Sequence, residues 1–171
     1  ESQIHRELAS GLSMPVGIKN RTDGNVQVAV DAIKAARHSH LFPSLTKEGA
    51  PAILETGGNP DCHLVLRGGI VPNYDDASID AAVAILQAEA LPAFLMVDCS
   101  HGNSKKDPLR QATIAMEASR HDAVRALMIE SNLVDGRQEL GGQLTHGQSI
   151  TDACVGFEKT ASLLKELASV N

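Results

Sequence analysis

The stretch Phe94-Leu95-Met96-Val97-Asp98-Cys99-Ser100-His101-Gly102-Asn103-Ser104 changes abruptly from apolar residues to polar residues that can do chemistry. Its apolar part is short, follows Pro92 and precedes a loop of glycine, asparagine and serine, which favours a strand of a parallel sheet over a helix. Because α/β folds place their active sites at the carboxyl ends of such strands, residues 98–103 are expected at a site. For one isolated strand, a histidine that merely caps the sheet is the simpler interpretation of His101.

Composition indicates one domain over residues 1–171 and argues against several classes of protein. The chain is 43% apolar, which is enough for a single core. A net charge of -6, with no Trp, one Tyr and three Phe, argues against a nucleic-acid surface. The chain has no polybasic cluster and no apolar run of the roughly 20 residues needed to span a bilayer, so the sequence does not indicate a membrane protein. Cys62, Cys99 and Cys154 form no CxxC pair, so we expect neither disulfides nor a structural zinc site, and we predict a reduced, cytoplasmic protein.

Working outward from residues 94–98, short apolar segments alternate with helical patterns. Strands are predicted over residues 15–20, 63–69, 94–98 and 124–130. Helices are predicted over residues 4–12, 25–37, 78–90 and 108–119, and from Ser149 through the apolar positions Ile150, Ala153, Phe157, Ala161, Leu164 and Leu167. The first helix carries the stripe Ile4, Leu8 and Leu12, and Ser78 and Asp107 are the expected N-caps of the third and fourth.

A short connection with a glycine joins two extended pieces, residues 41–46 and 52–56, and predicts a β-hairpin inserted into the alternation. The remaining pattern is one helix followed by four strand-then-helix units. Alternating strands and helices imply parallel strands with right-handed crossovers. Four such units are half of a (β/α)8 TIM barrel, so the predicted fold class is α/β.

At or just after the end of each predicted strand lies a polar residue that could be functional: Lys19, Arg67, His101 and Glu130. Any one of them could be a solvated charge, but the ends of successive parallel strands converge on one edge of the sheet. Lys19 and Arg67 are cations suited to a phosphate or a carboxylate. His101 and Glu130, with Asp152, are nitrogen and oxygen ligands suited to a divalent transition metal. For Asp152, placed in a first helical turn, favourable interaction with the helix dipole is the competing explanation.

Several ordered blocks run through essentially the whole chain: Lys19-Asn20 with Thr22-Asp23-Gly24, Gly58-Asn59 to Asp61-Cys62-His63, Leu66-Arg67-Gly68-Gly69, Asp98 with Ser100-His101, Asn103-Ser104, Met128-Ile129-Glu130-Ser131, and Ser149-Ile150-Thr151-Asp152-Ala153-Cys154. Together they closely resemble the class I 3-deoxy-D-arabino-heptulosonate 7-phosphate (DAHP) synthases. The resemblance covers only the second half of that family's barrel.

The resemblance implies a metal-dependent transferase of aromatic amino acid biosynthesis, at the first step of the shikimate pathway. Its reaction condenses phosphoenolpyruvate, erythrose 4-phosphate and water to DAHP and phosphate. The family's divalent metal (Mn, Fe, Co or Zn) is held by Cys, His, Glu and Asp. His101, Glu130 and Asp152 match the last three places, and the family's metal cysteine would lie upstream of Glu1.

The resemblance also implies roles for further residues. Catalysis is assigned to Lys19 and His101, and substrate binding to Lys19, Asn20, Arg67 and Asp152. Many members are inhibited by an aromatic amino acid, and by position a pocket for it would be lined by Ser13, Phe42, Ser44 and Leu54. Ordinary packing explains Phe42 and Leu54 equally well.

The partners expected from the resemblance are the two substrates, the N-terminal half of the same protein, and further copies in a homo-oligomer. The chain opens at Glu1 without an initiator methionine, which suggests a fragment or a processed product, so we expect it to be inactive alone. Two alternatives stay open. One is a related synthase that makes a 3-deoxyoctulosonate phosphate, and the other is an inert half-barrel that persists by assembly through its two exposed sheet edges.

Overall fold

A parallel sheet places the polar stretch after Val97 at one end of the molecule. A computed structural model describes residues 2–170. Its strands are β1 (Val16–Lys19), β2 (Leu41–Leu45), β3 (Pro51–Glu55), β4 (Cys62–Leu66), β5 (Leu95–Asp98), β6 (Val124–Met128), β7 (Ser131–Asn132) and β8 (Val155–Gly156). Its helices are α1 (Gln3–Ser10), α2 (Gln27–Ala36), α3 (Asp76–Ala88), α4 (His101–Ser104), α5 (Gln111–Ala118) and α6 (Phe157–Leu167), with a 3-10 turn at Pro108–Arg110 before α5.

The main sheet has the order β1-β4-β5-β6, and every neighbouring pair is parallel. The register pairs Lys19 with Val65, Leu66 with Val97, and Asp98 with Met128, so the carboxyl ends of the four strands lie side by side. The predicted α/β fold with a parallel sheet is confirmed. Polar residues that follow these strands are therefore delivered to one edge of the sheet.

Three helices bury small and branched apolar side chains against this sheet. Their fully buried residues are Ala29, Val30, Ala32, Ile33 and Ala36 from α2, Ile79, Ala82 and Leu86 from α3, and Ile114, Ala115 and Ala118 from α5. They pack with Leu64, Leu66, Leu95 and Val97 of the central strands in one core. Strands covered in this way read as continuous apolar runs, which is why residues 95–97 carry no polar alternation.

The predicted hairpin is confirmed: β2 and β3 pair antiparallel as a separate two-stranded sheet. Thr56, which directly follows β3, connects the hairpin to the first helix, because its hydroxyl lies 2.7 Å from the Ser10 hydroxyl. The apolar side chains of Leu41, Leu45 and Ile53 on the hairpin are 61–67% exposed.

The predicted N-cap of the third helix was wrong. Helix α3 begins at Asp76, and Asp75 is its cap: the Ser78 N–H and hydroxyl both donate to the Asp75 carboxylate, at 3.0 and 2.7 Å. These hydrogen bonds lower the pKa of Asp75 below its usual value. Ser78 is thus the third residue of the capped turn, and it cannot be the cap, because its own N–H is the group that needs an acceptor.

The predicted start of the last helix was also wrong. Residues from Ser149 onward are not helical until Phe157, because Val155 and Gly156 form β8 and pair in parallel with β7. The Val155 N–H donates to the Glu130 carbonyl at 2.9 Å. Of the expected apolar face, Phe157 and Leu164 are more than half exposed, and the buried residue of α6 is Leu163.

The apolar stripe of α1 faces outward. Ile4 and Leu8 on α1 are 66% and 54% exposed, and Leu12, just beyond the end of α1 at Ser10, is 42% exposed. Leu8 and Leu12 line a groove of about 530 Å³ together with the edge strand β1. No helix within residues 2–170 is both long enough and apolar enough to cross a membrane.

Candidate active site

Four predicted site residues lie at the carboxyl edge of the main sheet, as the sequence suggested. Lys19 is the last residue of β1 and Arg67 directly follows β4. His101 opens α4 three residues after β5, and Glu130 lies two residues after β6. Asp152 lies in the non-helical segment before β8, so it is not in a first helical turn and the helix dipole does not explain its position.

His101, Glu130 and Asp152 form what we call the three-ligand cluster. Their ligand atoms all lie within 4.8 Å of one another. The Nε2 atom of His101 is 3.4 Å from Glu130 Oε1 and 4.0 Å from Asp152 Oδ2. The side chains are 18%, 23% and 48% exposed, respectively, so a solute can reach them. One imidazole nitrogen facing two carboxylates is a donor set that suits a divalent transition metal.

The backbone turns His101 toward the cluster through a left-handed conformation. His101 has φ +50, a region that few residues other than glycine adopt. The next residue must be glycine, because a Cβ on Gly102 would lie 2.8 Å from the carbonyl carbon of Gly68. The Gly102 N–H donates to the Arg67 carbonyl at 3.0 Å, which fixes α4 against the end of β4.

Asp98 was expected at the site, but the sequence assigned it no role. Its side chain is fully buried, and its Oδ2 atom lies 2.7 Å from Lys19 Nζ and 2.8 Å from His101 Nδ1. The contact with the ring is short but bent away from hydrogen-bond geometry, and Nδ1 has no hydrogen-bond partner within residues 2–170. Oδ1 accepts the Ser100 N–H at 2.9 Å. The sequence does contain a feature that points to such a role: a carboxylate ends a buried strand and a histidine follows it three residues later.

Two buried polar residues hold Glu130. The Gln111 side chain is 0% exposed. It accepts the Glu130 N–H at 2.8 Å and donates to the Glu130 carbonyl at 3.3 Å. The Ser100 hydroxyl donates to Glu130 Oε2 at 3.1 Å, leaving Oε1 as the oxygen that faces His101. Sequence reasoning missed Gln111, although a glutamine on the apolar face of a predicted helix signals a buried polar role.

Three asparagines surround the backbone of Arg67 and Gly68. Asn20 Oδ1 accepts the Arg67 N–H at 2.8 Å, and its amide donates to the Gly68 carbonyl at 3.0 Å. Asn73 Oδ1 accepts the Gly68 N–H at 2.7 Å. Asn103 donates to the carbonyls of Leu66 and Asp98, at 3.1 and 2.8 Å. Asn20 is 2% exposed, so its amide serves the backbone that carries Arg67.

The two predicted cations differ in their surroundings. The Lys19 side chain is 32% exposed, and its ammonium is paired with the buried Asp98 carboxylate. Within residues 2–170 the Arg67 guanidinium takes part in no hydrogen bond or ion pair, and the residue is partly exposed. Arg67 is therefore available to an anion from solution, and five N–H donors let it grip a carboxylate or phosphate in two places.

The cysteines do not join the cluster. Cys99 is fully buried, and burial raises the pKa of its thiol to about 12. Burial also raises the pKa values of Cys62 and Cys154. Among the described residues, the group of ligand atoms within 4.8 Å of one another contains no cysteine.

The hairpin brings together part of the predicted inhibitor pocket. Phe42 and Leu54 are direct cross-strand partners, and Ser44 lies two residues from Phe42 on the same face. Ser13 lies between α1 and β1, and no hydrogen bond joins it to the hairpin among the described residues. The pocket stays a prediction.

The fold is α/β, and at the carboxyl edge of its parallel sheet one histidine and two carboxylates lie close together beside two cationic side chains. Residues 1–165 match the DAHP synthetase I family, and the chain belongs to that family.

Known relatives agree with this assignment. The chain is 49% identical to the Phe-sensitive phospho-2-dehydro-3-deoxyheptonate aldolase of Escherichia coli K12 over 176 residues, covering 99% of this chain and 50% of that protein. It is 47% identical to the corresponding aldolase of Corynebacterium glutamicum over 184 residues. The solved structure of the aldolase from Francisella tularensis SCHU S4 superposes with a TM-score of 0.93 at 47% identity, covering 99% of this chain and 51% of that one. The chain thus spans about half the length of the relatives it matches.

Proposed function

We propose that this chain is the C-terminal half of a DAHP synthase barrel and carries part of its active site. The reaction joins phosphoenolpyruvate and erythrose 4-phosphate, consumes water and releases phosphate, at the entry to aromatic amino acid biosynthesis. The observation that carries the proposal is the three-ligand cluster beside two cations, at the carboxyl edge of a sheet in a chain of this family.

The cations would hold the phosphoenolpyruvate anion. Arg67 is unpaired within residues 2–170 and would grip the phosphate or the carboxylate bidentately. The Lys19 ammonium keeps donors beyond the one directed at Asp98, so it would bind the same anion and donate a proton to the oxygen of the aldehyde as the new carbon–carbon bond forms. Asn20 would contribute by fixing the backbone of Arg67.

The three-ligand cluster would hold a divalent metal such as Mn, Fe, Co or Zn. His101 Nε2 and one oxygen each of Glu130 and Asp152 are the candidate ligands. A metal bound there supplies Lewis-acid polarisation of the aldehyde oxygen or of a water. Asp152 is the most exposed of the three and is placed to contact hydroxyl groups of the sugar phosphate as well.

The closest competing activity is that of a synthase making a 3-deoxyoctulosonate phosphate. The protein as its gene encodes it should be assayed with phosphoenolpyruvate and either erythrose 4-phosphate or arabinose 5-phosphate, with Mn²⁺ and after chelation. We expect metal-dependent product only with erythrose 4-phosphate. Arg67→Met should abolish it, and Arg125→Met, an exposed arginine on β6, should not. Turnover of arabinose 5-phosphate, or undiminished activity of Arg67→Met, would overturn the proposal.

We also propose that the chain functions with an N-terminal half-barrel. Two observations support this: the chain spans about half the length of its relatives, and the apolar side chains of α1 beside edge strand β1 are exposed. Unpaired strand edges favour pairing with another chain. The test is to mix the purified chain with a polypeptide comprising the first half of the E. coli relative. Complex formation with gain of DAHP synthesis supports the proposal, and a monodisperse, inert monomer of 18.1 kDa under both conditions contradicts it.

A homo-oligomer and an aromatic inhibitor remain further proposals. The exposed apolar side chains of the hairpin support a surface that is covered in an assembly. Phe42, Ser44 and Leu54 share one face of that hairpin and could contact an aromatic ligand.

A further inference from the structure

We propose that Asp98 is a positioning residue that couples the Lys19 ammonium to the three-ligand cluster through a single carboxylate oxygen. This rests on the proposed metal site, and it does not depend on which substrates the protein uses. Its basis is that Oδ2 lies 2.7 Å from Lys19 Nζ and 2.8 Å from His101 Nδ1, on a side chain that is fully buried.

The first consequence concerns the tautomer of His101. A bare Nδ1 lone pair 2.8 Å from a carboxylate oxygen would be strongly repelled, so Nδ1 carries the proton even though the contact is bent. The neutral ring then has its free lone pair on Nε2, the atom that faces Glu130 and Asp152. A carboxylate partner on the far nitrogen is how proteins orient metal-binding histidines and raise their basicity.

The second consequence concerns Glu130. Asp98 Oδ1 accepts the Ser100 N–H, and the Ser100 hydroxyl donates to Glu130 Oε2. The buried Asp98 carboxylate therefore orients Ser100. Because Ser100 binds Oε2 of Glu130, the oxygen that faces His101 is Oε1. Two of the three ligands are positioned by groups in contact with Asp98.

The third consequence is the coupling itself. Lys19 shares Oδ2 with His101, so the ammonium withdraws part of the negative charge that would otherwise act on the ring. An event that draws Lys19 away from Asp98 strengthens the carboxylate's hold on Nδ1–H and makes Nε2 a better ligand. By linkage, a metal on the cluster and an anion on Lys19 should each favour the binding of the other. If Asp98 served only as an ion-pair partner of Lys19, it would affect neither the His101 tautomer nor the coupling between metal and anion binding.

The test combines a spectroscopic and a binding measurement on the protein as its gene encodes it. In the metal-free wild type, ¹⁵N NMR of the neutral His101 ring should show the proton on Nδ1, and Asp98→Asn should give a mixture of tautomers. Mn²⁺ affinity, measured by electron paramagnetic resonance, should fall about 10- to 100-fold in Asp98→Asn, the range typical for loss of a partner of a ligating histidine. Lys19→Gln should bind Mn²⁺ more tightly than the wild type.

The double variant separates coupling through Asp98 from direct repulsion between ammonium and metal. We expect the tightening caused by Lys19→Gln to vanish in the Asp98→Asn background. If it persists there, or if Asp98→Asn keeps the wild-type tautomer and affinity, the proposal is wrong. Should Asp98→Asn fail to fold, an unchanged affinity in Lys19→Gln alone overturns it.

A matched control is available in a second carboxylate–histidine pair. Asp80 Oδ1 lies 3.1 Å from His121 Nε2, outside the three-ligand cluster. Asp80→Asn should leave both the His101 tautomer and the Mn²⁺ affinity unchanged, and an effect as large as that of Asp98→Asn would contradict the proposal. A wild type that binds no Mn²⁺ would refute the proposed metal site, while the NMR comparison still decides the role of Asp98.

Discussion

Replacing Gln111 with methionine tests how the sheet edge holds Glu130. Methionine has nearly the same shape, so the change removes two hydrogen bonds to the Glu130 peptide without opening a large cavity. The Glu130 carbonyl keeps the Val155 N–H at 2.9 Å, but its N–H loses the only acceptor found within residues 2–170.

The expected loss of stability follows from this difference between the Glu130 N–H and carbonyl. A buried N–H left without a partner costs about 1–3 kcal/mol, and the lost bond to a carbonyl that keeps another partner costs about 0.5–1 kcal/mol. We expect Gln111→Met to lower the free energy of unfolding by about 1.5–4 kcal/mol, out of the roughly 5–15 kcal/mol that domains have. Mn²⁺ affinity should fall as well, because Glu130 is no longer fixed.

The assay is urea unfolding followed by far-ultraviolet circular dichroism, in parallel with Mn²⁺ titration. Gln87→Met is the control, since Gln87 is an exposed glutamine on α3 and should change stability by less than about 0.5 kcal/mol. If Gln111→Met were as stable as this control, the two hydrogen bonds would not be holding Glu130 and the reasoning would be refuted.

Three further predictions concern the backbone, a loop and a thiol. Gly68→Ala should destabilise the protein by about 2 kcal/mol or more. The φ angle of Gly68 is +72, and the new Cβ would lie 2.5 Å from the backbone nitrogen of Asn103. An unchanged urea midpoint would contradict this prediction. The Lys159 ammonium and the Gly156 N–H hold the pKa of Asp135 below its usual value, so Asp135→Asn should lower stability at neutral pH. The difference should vanish as pH falls through that lowered pKa, and a pH-independent difference would be the wrong outcome. Because burial raises its pKa to about 12, the Cys99 thiol should resist iodoacetamide at neutral pH until urea unfolds the chain. Labelling of Cys99 itself in the native protein would contradict this prediction.

The parallel sheet was predictable because its determinants are local. Short apolar runs at residues 63–66 and 95–97, with helical patterns between them, specify strands covered on their faces. Because the carboxyl ends of parallel strands share one edge of a sheet, the sequence alone predicts that Lys19, His101 and Glu130 lie near one another, and the observed register agrees. The cluster geometry agrees with that expectation for the three predicted ligands.

The parts that sequence reasoning missed depend on contacts between distant residues. Asp98 meets a lysine 79 positions away, and nothing local to either residue indicates that distance. Residues after Ser149 have helical apolar spacing, but the pairing of β8 with β7 takes their backbone into a strand instead. Ile4 and Leu8 do lie on a helix, which ends at Ser10 before Leu12, but the rest of the described chain does not cover their face.

The central claim is that three side chains at the carboxyl edge of the sheet hold a divalent metal beside Lys19 and Arg67. The most direct measurement is anomalous diffraction at the manganese edge from crystals grown with Mn²⁺. We predict one strong peak within bonding distance of His101 Nε2 and of a carboxylate oxygen from each of Glu130 and Asp152, and its loss in His101→Ala. A wild-type crystal with no peak at the three-ligand cluster, or a peak that His101→Ala leaves in place, would contradict the claim.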